Sequence, residues 1–401
     1  MSINLLDMPG MTKYTSATGG PIPLASCSST TLVQRNVILL ATPAITEDNI
    51  FMNGLFQNIY VLYRMFESMG WLSMLIVNTK VESSKSPKYM RDLRIICVED
   101  IVQSPIPIKI YVEIGMSIDP NVRKFFKMCG ARICKLYLGN ILNIDVETPI
   151  FYPAMNFAHH VIGELDDIWV SPHYAQHDQY ARGLNHVDLR CPRPTIVPYV
   201  WDSQMIFNNG ERSLQWTRPE PGQEVFIITE PNISFQKTSL IPLMILESWY
   251  RKNPEWKGQV ILFNGERLNQ IPFFNESIIP SLELFKNGRV CVKGRMDILT
   301  IMTTYPHAIP ICHQWNNEYN YMVLEFFATG FPVLHNATDW KEYGYFYDGI
   351  ENAASLVSYA VKNHYNNLYI YKAHAEALKW KHSPYNPAVQ KAWNDIVSTS
   401  S

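Results

Sequence analysis

The sequence predicts an α/β protein built as two doubly wound domains in tandem, facing each other across a cleft. Three observations predict it. Short apolar runs of strand type alternate with amphipathic runs of helix type along most of the chain. The alternation breaks in a proline-rich stretch near residues 192–222 and then restarts. The chain has 401 residues, too many for one ordinary core. Apolar strands separated by helices indicate a parallel sheet covered on both faces.

Taken in order, residues 1–35 are rich in Ser, Thr, Gly and Pro and read as an N-terminal arm. "NVILLATPAI" is a strand, and "NGLFQNIYVLYRMFESMG" is a helix entered at Asn53-Gly54 and closed at Gly70. The strands "WLSMLIVN" and "IKIYVEIG", the helix "PNVRKFFKMCG" and the strands "ARICKLYLGN" and "DDIWVSP" follow. Prolines in "CPRPTIVPYVWDS" and "WTRPEPGQ" mark the domain junction. The second half repeats the pattern: strand "EVFIIT", helix "KTSLIPLMILESWYRKNP", strand "GQVILFN", helix "SLELFKNG", strand "RVCVKG" and helix "MDILTIMTTYPH". "ICHQWNNEYNYMVLEFFATGFPVLHN" then supplies strand, helix and strand, with the helix starting near Asn316. A last helical run, about 353–397, reads as interrupted by Tyr-rich and Pro-containing segments. The expected organisation is an arm at 1–35, a first domain at 36–205, a second at 206–375, and a C-terminal helix at 376–401 packing back on the first.

Composition narrows the function. A hydrophobic fraction of 47% and a charged fraction of 17% describe a well-buried globular protein. With a net charge of -2 there is no general attraction to nucleic acid or an anionic membrane, so an anionic ligand needs a local site. No apolar run reaches the roughly 20 residues of a membrane span. No leader pattern is seen at the N-terminus. The cysteines, Cys27, Cys97, Cys129, Cys134, Cys191, Cys291 and Cys312, form no C-x-x-C pair and read as reduced thiols of a cytoplasmic protein. His159-His160 and His173/His177 lack further ligands at metal-binding spacing, so no metal is expected. Dinucleotide, phosphate-loop, nucleophile-elbow and zinc-protease motifs are absent.

Ligands of doubly wound sheets bind beyond the carboxyl ends of the strands, so strand-to-helix junctions hold the candidates. Asn53-Gly54, followed by Gln57 and Asn58, is a helix cap or an anion site. In "TEPNISFQKTS", Glu230, Asn232 and Lys237 lie in the loop, and a lysine before a helix start is awkward unless an anion is near. In "VKGRMD", Gly294 precedes Arg295, which is either a phosphate ligand or a surface arginine. The fourth junction offers His313, Asn316, Asn317 and Glu318; Glu318 and Glu325, seven residues apart, are expected on one helix face. Glu325 sits within "MVLEFFA", where a buried carboxylate needs partners that ligand hydroxyls could supply. Glu113, Asn140 and His173 fall at strand ends of the first domain.

The order of these junctions resembles the GT-B glycosyltransferases with two Rossmann-like domains, in particular the retaining group with a Glu-x7-Glu motif. It is most similar to a branch found in bacteria and large DNA viruses. That branch carries "NG-x-x-QN", "EIG", "GN", "EPN-x-S-x-x-K", "HQW-x-N" and "G-x-P-x-x-HN", here from Asn53, Glu113, Gly139, Glu230, His313 and Gly330. The resemblance covers about 36–375. It implies a hexosyl- or pentosyltransferase using a UDP- or GDP-linked sugar, metal-independent and without a cofactor. The acceptor would be a glycan or glycoprotein, in the host cytoplasm if the chain is viral. Lys237 and Arg295 then match cations for the donor diphosphate, and Glu325 the carboxylate that holds the ribose. Gly54, Glu230, Asn232, Gly294, His313, Asn316, Asn317 and Glu318 complete the donor side, with Lys237, Arg295, Asn317 and Glu318 as catalytic candidates. Asn53, Gln57, Glu113, Asn140 and His173 are the acceptor-side candidates. The first glutamate of the motif is replaced by Asn317, which can still hydrogen-bond a sugar. A sugar-nucleotide epimerase and a non-catalytic nucleotide-sugar-binding scaffold are the competing readings.

Overall fold

The computed structural model describes residues 36–51, 54–79, 82, 85–151, 165–185, 196–207 and 214–398; the arm at 1–35, Asn53 and His159-His160 lie outside them. The chain divides into two units, Met1–Trp201 with His382–Ser401, and Asp202–Lys381.

The first unit holds β1 (Val37–Ala41), β2 (Leu72–Val77), β3 (Ile95–Cys97), β4 (Ile110–Glu113), β5 (Arg132–Tyr137) and β6 (Asp167–Val170). They form one six-stranded parallel sheet in the order β3-β2-β1-β4-β5-β6. This is a doubly wound order, with its reversal between β1 and β4. The run "VILLA" of β1 is buried throughout, as expected of a parallel strand covered on both faces. β5 is equally buried yet carries Arg132 and Lys135. Such charges persist inside only when paired. Arg132 is bonded to Asp167 on β6 and donates to the Ile396 carbonyl at 2.9 Å. Lys135 lies 3.7 Å from Glu113. Helix Pro387–Ser398 packs within this unit through Trp393, which meets Phe66 and Trp169 edge-on at 5.5 Å each. β3 and the helix after it, Val98–Gln103, are not legible as a strand and helix in the sequence, because β3 is only three residues long.

The second unit holds β7 (Val225–Ile228), β8 (Gln259–Leu262), β9 (Val290–Val292) and β10 (Ala308–Pro310), all parallel in the order β10-β7-β8-β9. A parallel bridge from Ile311 to Leu334 sets β11 (Leu334–His335) beside β10, with β12 (Tyr345–Phe346) beyond it. Read from β9, the succession β9-β8-β7-β10-β11-β12 repeats the order of the first unit. Its reversal lies between β7 and β10.

The structure departs from two of these expectations. The helix of the fourth junction starts at Tyr321, not near Asn316, because Asn320 caps it by accepting from the Met322 N–H at 3.1 Å. Asn316 has a φ of 47°, which no right-handed helix allows. Glu318 therefore precedes the helix and does not share a helical face with Glu325. Helix Ile350–His382 runs 33 residues without the expected Tyr-rich interruption. Of its tyrosines, Tyr371 is buried and its hydroxyl donates to the Phe331 carbonyl at 2.6 Å, while Tyr359, Tyr365 and Tyr369 are exposed. The break comes only at Ser383–Asn386, where Pro384 cannot continue a helix. Among the described residues no helix is long and apolar enough to cross a membrane.

Candidate functional site

The loops that leave β7 and β10 meet at the reversal of the second sheet, where the ligands of such sheets are held. Their joint is Glu230, 1% exposed. One carboxylate oxygen accepts from the His313 N–H at 3.2 Å and the other from Gln314 Nε2 at 2.8 Å. Gln314 in turn accepts from Asn317 Nδ2 at 2.6 Å and exchanges two bonds with Asn336, at 3.0 and 2.8 Å. A second clasp joins the same loops further out. Gln236 Nε2 donates to the Trp315 and Asn316 carbonyls at 3.1 and 3.3 Å, and the Trp315 N–H donates to the Gln236 carbonyl at 3.0 Å.

Asn232, Asn264 and Asn316 have φ values of 53°, 55° and 47°, and are the only left-handed non-glycine residues among those described. They follow β7, β8 and β10 respectively. Such conformations persist where the surroundings enforce them, and they concentrate at ligand sites. Asn232 is held by four bonds. Its N–H donates to the Lys237 carbonyl at 2.9 Å, Oδ1 accepts from the Ser239 N–H at 2.8 Å, and Nδ2 donates to the Glu230 and Asn264 carbonyls at 3.1 and 3.3 Å. Asn264 Nδ2 donates to the Thr229 carbonyl at 2.9 Å. These bonds fold residues 229–239 into a loop that carries Lys237 on its outer turn. Two buried polar atoms here have no partner among the described residues, Ser239 Oγ and His313 Nε2.

The electrostatics follow from burial. Burial pushes the Glu230 carboxyl up to about 7, opposed by its hydrogen bond from the His313 N–H and by Lys237. Lys237 is half-buried, and burial pulls its ammonium below the ordinary lysine range; Glu230 works against that shift and Arg295 adds to it. Two cations near enough to disfavour each other's charge are relieved by an anion between them. Burial also lowers His313 to about 4, leaving a neutral ring.

Of the donor-side residues named from sequence, Glu230, Asn232, Lys237, His313, Asn316 and Asn317 come together on these loops. Glu318 lies in the same loop, and its carboxyl is raised by burial. Gly294 follows β9, where a Cβ would stand 2.6 Å from Glu266 Oε1, and Arg295 beside it is exposed. Glu325 is 1% exposed in helix Tyr321–Ala328.

Gly54 opens the helix after β1 and belongs to the other unit. So do Gln57, Asn140 and His173, beyond the ends of β1, β5 and β6, and Glu113, the last residue of β4. Glu113 is 1% exposed and accepts from Tyr111, Ser117 and Arg123 at 3.3, 3.0 and 3.0 Å. Asn140 Oδ1 accepts from the Asn143 N–H at 3.2 Å at the start of helix Ile141–Phe151.

Gln236, Asn264, Gln314, Asn336 and Tyr347 are not candidates in the sequence reading. Asn264 does carry a signal, an Asn-Gly pair directly after a strand. The others act across the fold, as Gln314 does with Glu230 over a separation of 84 residues.

Residues 40–397 match the family model described as "Protein of unknown function (DUF2827)". No curated protein matches the sequence. Solved structures are similar over nearly the whole chain. One is the HepE protein of Anabaena in complex with UDP, with 11% identity, a TM-score of 0.55, and coverage of 91% of this chain and 100% of that one. Another is an alpha-glucosyltransferase in complex with UDP and a 13-mer DNA containing a HMU base, with 12% identity, a TM-score of 0.56 and coverage of 90% and 99%. A glycosyltransferase from Rickettsia africae has 12% identity, a TM-score of 0.50 and coverage of 92% and 100%. At these identities the likeness is one of fold, the GT-B type with two Rossmann-like domains.

Proposed function

Because this chain belongs to the DUF2827 family and has a GT-B fold, we propose that it is a glycosyltransferase. It would move a hexose or pentose from a UDP- or GDP-linked donor to a hydroxyl of a glycan or glycoprotein, with retention and without a metal ion. One observation carries this reading. The loops after β7 and β10 are locked together at the sheet reversal with Lys237 and a set of neutral amides on them, and Arg295 is near enough to act on Lys237.

In the reaction, the bond between the anomeric carbon and the diphosphate oxygen breaks, and its electron pair leaves with the diphosphate. The acceptor oxygen bonds to that carbon, and its proton goes to the departing phosphate. Charge thus grows on the diphosphate as the bond breaks. Lys237 and Arg295 stabilise that charge more in the transition state than in the ground state. Asn317 and Glu318 hydrogen-bond the sugar, and Glu325 the ribose. Gly54, Gln57, Glu113, Asn140 and His173 are the residues we assign to the acceptor side.

The test is calorimetric and kinetic. Wild-type protein should bind one nucleoside diphosphate and its sugar form in preference to others, and should release free diphosphate when a glycan acceptor is added, with EDTA present. A protein that binds none of them loses this reading. Binding of the sugar nucleotide with neither hydrolysis nor transfer favours a scaffold, a reading that the Asn317 replacement supports.

A further inference from the structure

His313, partly buried, differs from the fully buried imidazoles of its unit. His335 donates from Nε2 to the Tyr343 carbonyl at 2.8 Å and accepts at Nδ1 from the Ala337 N–H at 3.3 Å. His364 donates from Nε2 to the Gly330 carbonyl at 3.0 Å and accepts at Nδ1 from the Tyr345 hydroxyl at 2.8 Å. Both rings are fully used. At His313 the single hydroxyl proton of Tyr347 goes to the Cys312 carbonyl at 2.8 Å. The nitrogen Nδ1, 3.0 Å from the same hydroxyl oxygen, must therefore carry the ring proton and donate it. That fixes the tautomer and leaves Nε2 with a buried lone pair and no partner among the described residues. Buried acceptors are nearly always satisfied, so one with no protein partner needs a donor from solvent or from a ligand.

Beside it stands Trp315, edge-on to the imidazole at 5.6 Å and 50% exposed. Its backbone is gripped by Gln236 on both sides, and the next residue is the left-handed Asn316. The fold thus fixes the backbone of a large aromatic residue while leaving half the side chain in water. In the same loop Asn316 and Asn317 carry neutral amides, and burial raises the carboxyl of Glu318. The cations belong to the loops after β7 and β9. Neutral amides that can donate and accept, beside an aromatic face, suit a ring that carries several hydroxyls on its edge and C–H groups on its faces.

We propose that Trp315 and His313 form the sugar subsite. The indole stacks on the C–H face of the transferred sugar, and His313 Nε2 accepts from one of its hydroxyls. This rests on the glycosyl-transfer reading above and adds which residues recognise the sugar as distinct from the nucleotide.

Calorimetry with UDP and UDP-glucose, and with GDP and GDP-mannose in parallel, tests it on wild type, Trp315→Ala, Trp315→Phe and His313→Phe. Trp315→Ala should leave affinity for the diphosphate alone within twofold and weaken the sugar form about tenfold, or ~1.4 kcal/mol. Trp315→Phe should recover most of that loss. His313→Phe, which keeps a ring and removes the lone pair, should show the same sugar-specific loss with the melting temperature monitored alongside. Equal losses for both compounds would assign the indole to the base instead, and no loss for either would remove the subsite. Wild-type protein that binds neither compound overturns the transfer reading and the subsite with it, an outcome distinct from any result on the variants.

Discussion

Burial lowers the proton affinity of Lys237, Glu230 partly restores it and Arg295 lowers it again. Among the described residues no carboxylate stands within 4 Å of its ammonium, because Glu230 is turned toward His313 and Gln314. A diphosphate would supply the missing negative charge. Lys237→Ala should therefore lower turnover a hundredfold or more, the loss of about 2.7–4 kcal/mol typical of one transition-state donor. The circular dichroism spectrum should stay unchanged, since the side chain is half-buried at the surface of a loop whose shape depends on Asn232. Near-normal kcat in this variant excludes Lys237 from the chemistry. The lysine is legible in the sequence because it stands just before a helix start, where a positive charge is unfavourable. Gln314 is not, because its partner lies in another loop and no local pattern announces the pairing.

The loop after β10 shows where local reading gives way to tertiary structure. The apolar runs identified most of the strands correctly, since burial on both faces leaves an apolar signature. They could not locate the helix start, because Asn316, Asn317 and Asn320 are all plausible caps, and the preceding segment is held instead by the pairing of Trp315 with Gln236, far away in sequence. The left-handed turn at Asn316 was likewise hidden, since asparagine tolerates that conformation but does not require it. A β-branched residue would not tolerate it. Asn316→Val should destabilise the protein by about 1–2 kcal/mol, the cost of the left-handed conformation for an ordinary residue. Asn316→Gly should be the more stable of the two variants, because glycine takes positive φ freely. Chemical denaturation of the two variants checks this, and equal stability of valine and glycine would mean that the turn relaxes.

At the scale of the whole molecule, acid should unfold the protein through histidines that the second unit buries neutral. His313, His335 and His364 are each lowered from 6.5 to about 4 by burial. A depressed value means that the unfolded chain takes up the proton first. The stability these rings contribute is thus complete above pH 6.5 and is lost as the pH falls toward 4. Glu230 acts in the opposite sense. Raised from 4.5 to about 7, it takes its proton in the folded state first, and its contribution is complete below 4.5 and lost as pH rises through 7. Between pH 6.5 and 4.5 the unfolded chain therefore holds about two more of these protons than the folded one. Stability should fall with decreasing pH at a slope of at most about 2.7 kcal/mol per pH unit. Both nitrogens of His364 are engaged, so a second ring proton cannot enter without breaking the bond from Tyr345. His364→Gln should lower stability at pH 7.5 but flatten the slope by about one proton, or ~1.4 kcal/mol per pH unit. Denaturation midpoints and m-values measured from pH 7.5 to 5 in both proteins give the two slopes. Parallel slopes would show that the ring of His364 is not among those that drive acid unfolding.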